Sequence, residues 1–393
     1  MADPWLCLIG MSDDSAASLP PASLAEIAAA EVIFGGPRHL DLVGAGDRGQ
    51  PWPVPFSIDP VLAARGKRVV VLASGDPFWF GAGGSLSRHL KTGEWHVIPA
   101  PSTFSLIAGH LGWRLEQTAC HGLHAAPFAQ LRKALTPHGR MICLLRDGDA
   151  PAALAAWLTQ QGAGTSQLWV CERMGGATEQ VRAVTADTFA LTDIAAPVAV
   201  AVELPANVGL SRASGLPDAS FSHDGQITKR PVRALTLSAL APRPNEMLWD
   251  IGAGSGSVAV EWCLAGGRAI AFEQHENRSA NIAQNIADFG LLHRMQMIHG
   301  DALNTLLDQP MPDAVFVGGG GTQALFDCLF QRLAKGARLV ANGVTLETES
   351  LLIQLHATKG GDLMRIELAQ ATPLGSMRGW TPTRAIVQWS LVL

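Results

Sequence analysis

The sequence has 393 residues, a formal net charge of −5 and 48% hydrophobic side chains. At roughly 150 residues per domain, this length predicts two or three domains, each large enough to bury a core. Basic residues number 14 against 18 acidic ones up to residue 205 and 15 against 16 beyond it, so neither half has the basic excess that nucleic-acid binding usually requires.

Cysteine spacing, histidine spacing and hydropathy bear on metal binding and location. The closest two of the six cysteines lie 23 positions apart, and the H-x-x-H pair of His121 and His124 encloses Gly122, which favours a turn. The N-terminal stretch 1–14 has no basic residue before its apolar run, unlike a secretory signal. No uncharged apolar run approaches the roughly 18 to 20 residues of a membrane span. The sequence therefore predicts a cytoplasmic protein without a metal.

In the first half, short runs rich in Val, Ile and Leu alternate with alanine-rich segments of helical period, which is typical of an α/β fold. Helices are predicted in these segments, for example at 21–31 and 151–161. The predicted strands lie at 5–10, 31–36, 68–77, 94–100, 140–145, 167–174 and 197–204. We therefore predict a first domain over residues 1–205.

The pattern stops in PANVGLSRASGLPDASFSHDG, a stretch of Pro, Gly, Ser, Asn and Asp without sustained period, so residues 206–225 are predicted to be a linker. Residues 226–393 then resume the alternation and predict a second domain. Its strands are predicted at 246–252, 268–274, 295–302, 313–319, 338–344, 364–370 and 384–393. The last two would form a closing C-terminal hairpin in a seven-stranded sheet.

The first strand of this second domain leads into DIGAGSGS, residues 250–257. The glycines Gly252, Gly254 and Gly256 form a G-x-G-x-G pattern, whereas a dinucleotide-binding loop has its third glycine one position later, where this chain has Ser257. Glycines let the backbone approach a ligand closely, and a helix that starts near Ser257 directs N–H groups at a carboxylate. The spacing disfavours NAD.

Acidic residues stand in register with this loop. Asp250 precedes it, Glu273 ends the next strand 21 residues after Gly252, and Asp301 with Ala302 follows the strand after that. Glu273 is placed to accept hydrogen bonds from both hydroxyls of a ribose, and each such charged bond contributes about 1.5 to 3 kcal/mol. Asp301 is placed to accept a hydrogen bond from an adenine amino group. Together these features favour S-adenosylmethionine (SAM) over NAD. The alternative is that the acids only cap strand ends.

This half resembles the class I methyltransferases, which have a Rossmann-like fold with a seven-stranded sheet. The segments GQITKRPVRALTLSAL, VFVGGGG and GSMRGW narrow the resemblance to the decarboxylating precorrin methyltransferase domain of cobalamin biosynthesis. The pair Lys229 and Arg230, together with Arg233, is the most specific part of that match.

The first half has no G-x-G-x-G after its first strand and keeps only Gly10 there. Its segments FGGPRHL, VLASGDPFWFGAGG and PAPSTFSLIAGHLGW resemble the tetrapyrrole methylase family, whose fold has two α/β subdomains with SAM in the cleft between them. The resemblance places the cofactor at Gly10, at Ser102 and Thr103, and at the turn Ser74, Gly75, Asp76 and Pro77. A glycine- and proline-rich loop of that family is replaced here by residues 11–14. The alternative reading of both motifs is an ordinary strand-to-helix turn.

The two halves in this order resemble the fused, two-domain precorrin methyltransferases that also decarboxylate. The resemblance implies methylation of precorrin-6B at carbon 5 by the N-terminal domain and at carbon 15 by the C-terminal domain, which also removes the carboxyl group of the ring C acetate as carbon dioxide. It implies one SAM per domain, S-adenosylhomocysteine and precorrin-8X as products, and a homo-oligomer that hands its product to neighbouring pathway enzymes. An anionic substrate predicts basic residues at the cleft mouths. The candidates are Arg38, His39, Lys229, Arg230, Arg233 and Arg378.

Two other functions stay open at this point. Enzymes with folds of the tetrapyrrole methylase type also modify ribosomal RNA. Against this function, neither half shows a stripe of basic residues interleaved with aromatic ones, as nucleic-acid binding favours. The chain is alternatively a pathway scaffold in which one SAM-binding half has degenerated, for which residues 11–14 are the only sequence support. The sequence identifies no catalytic residue and no proton donor for the decarboxylated product.

Overall fold

A computed structural model describes residues 4–12 and 19–393. The chain divides into two compact units. The N-terminal unit contains the described residues up to Phe128 and Ala134–Val208, and the C-terminal unit contains Ala129–Lys133 and Gly209–Leu393. Most of the predicted linker thus belongs to the C-terminal unit, where Leu216 and Phe221 are buried in its core.

The first sheet of the N-terminal unit has five parallel strands in the order β3-β2-β4-β1-β5. Alternate residues of β1 enter different apolar clusters on the two faces of the sheet, Cys7 and Ile9 in one and Leu6 and Leu8 in the other. Burial on both faces explains the continuous apolar runs of the sequence. The strands are β1 (Leu6–Met11), β2 (Val32–Gly35), β3 (Gly49–Pro51), β4 (Val69–Ser74) and β5 (Trp95–Ile98), and the helices are α1 (Pro21–Ala29), α2 (Pro37–Leu42), α3 (Asp59–Ala63) and α4 (Gly83–Leu86).

The second sheet of this unit is mixed, in the order β6-β7-β10-β8-β9, with β6 parallel to β7 and the other pairs antiparallel. Its strands are β6 (Thr118–Gly122), β7 (Arg140–Leu145), β8 (Gln167–Glu172), β9 (Gln180–Thr185) and β10 (Val198–Glu203), with helices α5 (Thr103–Leu111) and α6 (Ala150–Gln160). Two sheets in one unit confirm the predicted pair of α/β subdomains.

The C-terminal unit has a seven-stranded sheet in the order β13-β12-β11-β14-β15-β19-β16. The first five of these strands are parallel and β19 is antiparallel to both its neighbours. The strands are β11 (Met247–Ile251), β12 (Arg268–Glu273), β13 (Met295–His299), β14 (Ala314–Val317), β15 (Arg338–Gly343), β16 (Asp362–Ile366) and β19 (Ile386–Val392), and the helices are α7 (Arg230–Leu240), α8 (Ser257–Leu264), α9 (Glu276–Asp288), α10 (Ala302–Thr305), α11 (Gln323–Arg332) and α12 (Leu346–Lys359). This order confirms the predicted Rossmann-like sheet with its C-terminal antiparallel pair.

Strand order reverses beside β11, because β12 lies on one side of it and β14 on the other. In open α/β sheets, ligands bind outside the carboxyl ends of the strands at such a switch point. The loop that begins at Gly252 leaves β11 at this place.

The structure also contains a two-stranded hairpin that the sequence analysis did not predict. Its strands are β17 (Ala369–Leu374) and β18 (Met377–Pro382), and they pair only with each other among the described strands. Among the described residues, no helix is long and apolar enough to cross a membrane.

Candidate functional site

The glycine loop of the C-terminal unit has a backbone that only glycine adopts easily. Gly252, Gly254 and Gly256 have φ angles of 65°, 61° and 70°, in the left-handed region. A Cβ atom on Gly252 would lie 2.5 Å from the carbonyl oxygen of Gly319. The loop therefore lies against the backbone that follows β14, and α8 begins immediately after it at Ser257.

Glu273 is held at the end of β12 by two backbone groups. The residue is 3% exposed; its Oε2 accepts from the N–H of Gly254 at 2.8 Å and its Oε1 from the N–H of His275 at 3.0 Å. Each oxygen keeps a second lone pair. The fixed carboxylate can therefore still accept hydrogen bonds from a pair of hydroxyls.

Asp250 lies beneath the loop and is 1% exposed. Its Oδ2 accepts from the N–H of Ala259 at 3.2 Å, whereas Oδ1 has no hydrogen-bond partner among the described residues. Burial raises the pKa of Asp250 to about 7, and the charge of Glu273 adds to the effect, while the bond from Ala259 opposes it. A cationic ligand nearby would favour the ionised form.

A cavity of about 120 Å³ lies at the carboxyl ends of the strands, and Asp250, Gly254 and Gly256 are not among the residues that line it. Of the predicted cofactor residues, the cavity wall contains Gly252, Glu273, Asp301 and Ala302. The left-handed glycines, the buried carboxylate and the acid at the start of α10 match the donors and acceptors of an adenosine with an amino-acid tail. The residues present therefore fit SAM.

Other residues of this wall were not predicted from the sequence, among them His275, Arg278, Gly319 and Gly320. Arg278 donates from Nε to Oδ2 of Asp224 at 3.1 Å. The glycine run after β14 was a usable signal, because it ends a parallel strand beside the switch point, as the loop after β11 does.

The basic residues predicted for this half differ in exposure. Lys229 and Arg230 lie exposed at the start of α7, and Arg378 is exposed on β18. Arg233, in contrast, is completely buried, with Nε 2.6 Å from Glu261. The charge of Arg233 is thus neutralised inside the unit, and its predicted role in substrate binding stays a prediction.

In the N-terminal unit, three backbone segments converge where the tetrapyrrole methylase motifs were found. A Cβ atom on Gly10 would lie 2.0 Å from the carbonyl oxygen of Gly75 and 2.4 Å from the nitrogen of Ala100. Gly75 has a φ of 60°, and a Cβ atom there would lie 2.7 Å from the Cα of Ser102. The structure therefore brings Gly10, Gly75 and Ser102 together from separate strands.

The two flanking turns have the local bonds that their residue types favour. The Oδ1 atom of Asp76 accepts from the N–H of Phe78 at 2.8 Å, which closes the turn around Pro77. Ser102 caps α5, its Oγ accepting from the N–H of Ser105 at 3.1 Å, and Thr103 is the first residue of the helix. These bonds agree with an ordinary turn and helix cap and also with a cofactor site, so cofactor contacts at these residues stay predictions.

A cleft of about 460 Å³ opens beside these turns, with walls from both subdomains. Ser74, Ser102, Thr103 and His39 line it. His39 is 6% exposed, and its Nε2 lies 3.2 Å from Oγ of Ser74 and also 3.2 Å from Nη2 of the exposed Arg38. His39 thus forms part of the cleft wall rather than of its outer rim.

Aromatic rings supply much of the remaining wall, and sequence reasoning did not assign them to the site. Trp79 stacks on Phe104 with ring centroids 5.0 Å apart. Phe80 has a φ of 59°, and its ring packs against Gly122, where a Cβ atom would lie only 2.8 Å from the ring. Trp79 and Phe80 remain 37% and 55% exposed. The aromatic triplet in DPFWFG, directly after the turn, was the available signal.

The replaced loop of the N-terminal unit is only partly described. Met11 is buried at the end of β1, and Asp13 and Asp14 lie outside the described residues. The predicted effect of this loop on cofactor binding therefore stays a prediction.

The sheet order, the glycine loop and the fixed acid at the end of β12 define the C-terminal unit as a class I SAM-dependent methyltransferase. Residues 219–393 match the family described as precorrin methyltransferase domain, and residues 6–190 match the tetrapyrrole (corrin/porphyrin) methylases. Over its full length, the chain belongs to the precorrin-6Y C(5,15)-methyltransferases (decarboxylating).

Two relatives that match over nearly their whole length show this. The protein of that name from Sinorhizobium sp is 43% identical over 400 residues, which cover 99% of this chain and 97% of the relative. The one from Mycobacterium tuberculosis is 38% identical, over 98% of this chain and 99% of its own. A crystal structure of the C-terminal domain of the Rhodobacter capsulatus protein is 60% identical, covers 46% of this chain and 98% of its own, and has a TM-score of 0.46.

Proposed function

We propose that this chain methylates precorrin-6B at carbons 5 and 15 and removes the ring C acetate carboxyl as carbon dioxide, giving precorrin-8X in cobalamin biosynthesis. The observation that carries the proposal is the end-to-end similarity to decarboxylating C(5,15)-methyltransferases. Each unit also has its own concave site, which supports the use of one SAM molecule by each.

The chain's main contribution to methyl transfer would be alignment. SAM, when bound, supplies an electrophilic methyl group. The fixed Glu273 and the glycine loop orient the nucleoside end in the C-terminal unit, and the convergence of Gly10, Gly75 and Ser102 does so in the N-terminal unit. Positioning of two reactants in this way can lower a barrier by about 7 to 11 kcal/mol.

Binding of the acetate and propionate arms would fall to exposed cations. Lys229, Arg230 and Arg378 are exposed in the C-terminal unit, and Arg38 is exposed beside the cleft of the N-terminal unit. Guanidinium groups pair with carboxylates through two parallel hydrogen bonds. The exposed rings of Trp79 and Phe80 add an apolar wall of the kind that a conjugated macrocycle packs against.

Predictions about assembly, transfer of an intermediate and location also belong with this function. The hairpin β17–β18 exposes Leu374, Met377 and Trp380 to 70%, 76% and 77%, an apolar surface that supports assembly as a homo-oligomer. The fusion of two units supports transfer of an intermediate between them, since tethering raises an effective concentration to about millimolar. Transfer of the product to neighbouring pathway enzymes stays a prediction. The cytoplasmic location also stays a prediction.

The division of labour is tested in the full chain with one site blocked at a time. Gly254→Arg adds a long side chain at a position where a Cβ atom alone would lie 3.0 Å from the carbonyl oxygen of Gln226. We expect this variant to methylate once, at carbon 5, and to release no carbon dioxide. Gly75→Arg should instead methylate only at carbon 15 and still release carbon dioxide. Gly84→Ala, which meets nothing within 4 Å, is the control and should retain both reactions.

Products are identified by mass spectrometry and by trapping labelled carbon dioxide. Release of carbon dioxide by Gly254→Arg at the wild-type rate would contradict the assignment of decarboxylation to the C-terminal unit. Loss of both methylations in either variant would contradict independent sites.

A further inference from the structure

Three side chains with metal-ligand chemistry meet in the N-terminal unit, away from the cleft. Cys7 lies on β1, Glu26 on α1 and His96 on β5, and one ligand atom from each lies within 4.8 Å of the others. Cys7 and His96 are register partners on neighbouring parallel strands, so their side chains project from the same face of the sheet, where α1 packs. The cluster is therefore positioned by regular elements rather than by loops.

The spacing of two of these atoms already suits a metal ion. Nε2 of His96 lies 3.3 Å from Oε1 of Glu26. Zinc binds nitrogen and oxygen ligands at about 2.0 to 2.2 Å, so at tetrahedral angles two such ligands are about 3.3 to 3.5 Å apart. A sulfur ligand at about 2.3 Å would lie about 3.6 Å from either, so the thiol of Cys7, within 4.8 Å of both atoms, would need to approach by at most about 1.2 Å.

A bound cation would balance the charges of these groups. Cys7 is 2% exposed and lies beside Glu26. A divalent ion would replace the thiol proton, and its charge would balance a thiolate and a carboxylate together. Nδ1 of His96 is buried without a hydrogen-bond partner among the described residues.

A cavity of about 350 Å³ borders all three residues and leaves room for one more ligand. Sites with three protein ligands and one open position typically complete a tetrahedron with water. Sulfur, imidazole and carboxylate together suit zinc better than magnesium or calcium, which take oxygen ligands.

We propose that Cys7, Glu26 and His96 bind one divalent transition-metal ion of the zinc type, with water as the fourth ligand. The site would join α1 to the two strands beneath it. Cys7 lies three residues before Gly10 in β1, about 10 Å from the end of the sheet where the cofactor residues converge. The ion would therefore stabilise the first subdomain and take no part in methyl transfer.

The test uses the full chain, treated with a chelator and then titrated with Co²⁺ as a spectroscopic probe. We expect one equivalent to bind with a sulfur-to-cobalt charge-transfer band and the intense visible bands of tetrahedral cobalt, and Zn²⁺ to displace it. Cys7→Ser should remove the charge-transfer band, and His96→Gln should weaken Co²⁺ binding by at least about tenfold. Cys120→Ser, which alters a half-buried thiol elsewhere in the same unit, should change neither.

A charge-transfer band that survives Cys7→Ser, or an unchanged affinity in His96→Gln, would overturn the proposal, as would the lack of any band with wild-type protein. His96 is 37% exposed, so its substitution should leave the fold intact, and binding of S-adenosylhomocysteine serves as the check on folding. Zn²⁺ should also raise the melting temperature of wild type and not of either ligand variant. None of these readouts depends on the proposed reaction.

Discussion

Glu273 offers the most precise test of the C-terminal cofactor site. The change Glu273→Gln preserves size and shape but replaces one acceptor oxygen by an NH2 donor. Both oxygens face backbone N–H groups, at 2.8 Å from Gly254 and 3.0 Å from His275, so the amide must point its donor at another donor. At 3% exposure, water cannot fully replace the missing acceptor.

The size of the effect follows from the charged hydrogen bonds involved. One such bond contributes about 1.5 to 3 kcal/mol, and a tenfold change in affinity corresponds to about 1.4 kcal/mol. We therefore expect S-adenosylhomocysteine to bind the C-terminal site about 10- to 150-fold more weakly in the variant. Isothermal titration calorimetry measures this, and the site predicted in the N-terminal unit should keep its wild-type affinity.

Glu276→Gln is the matched control, because it makes the same chemical change at an exposed position three residues further on. It should bind S-adenosylhomocysteine as wild type does. An unchanged affinity in Glu273→Gln, or an equal loss in both variants, would refute the role given to the fixed carboxylate.

Three further changes test the C-terminal unit. Gly252→Ala should abolish binding of S-adenosylhomocysteine there, because its Cβ would lie 2.5 Å from a carbonyl oxygen. Gly375→Ala, at a similar left-handed φ, outside the cavity wall and with nothing within 4 Å, should only lower stability by about 1 to 2 kcal/mol. Calorimetric titration and thermal melting separate the two effects. Arg233→Met should lower the free energy of unfolding by about 3 to 5 kcal/mol in denaturant titrations, because it leaves the carboxylate of Glu261 buried without its cation. Adding Glu261→Gln should recover part of the loss. A loss below about 1 kcal/mol in Arg233→Met would contradict this prediction. Burial raises the pKa of Asp250 from 3.8 to about 7. Its contribution to stability is therefore present in full below pH 3.8 and is lost as pH rises through 7. Asp250→Asn should remove this part of the pH dependence, and a profile of unfolding free energy against pH that is the same as in wild type would contradict the prediction.

Local patterns predicted the parts of the fold and site that depend on neighbouring residues. The G-x-G-x-G spacing and the acids at strand ends lie within short segments, and parallel strands then place their carboxyl ends at one edge. The strands β3, β6 and β9 were missed because the segments GQP, TACHG and QVRAVT contain no long apolar run. In the hairpin β17–β18, Pro373 and Pro382 argue against strands, since proline cannot donate to a ladder.

Arg233 and the proposed metal ligands illustrate two different limits. Arg233 shares its helix face with Thr236, Leu237 and Leu240, all buried, so its helical spacing was a signal that the charge would point inward. For Cys7 and His96 no spacing signal exists, because only the pairing of β1 with β5 brings residues so distant in sequence together. Long-range strand pairing was the information that single-sequence reasoning lacked.

The most direct test of two working methyltransferase units is to count the methyl groups transferred and the carbon dioxide lost in one reaction. Precorrin-6B is incubated with the full chain and SAM carrying a labelled methyl group, and the product is analysed by mass spectrometry alongside the carbon dioxide released. We expect two labelled methyl groups and one carbon dioxide per macrocycle. A product with a single methyl group from an intact chain would contradict two working methyltransferase units and would favour the scaffold with one degenerate half.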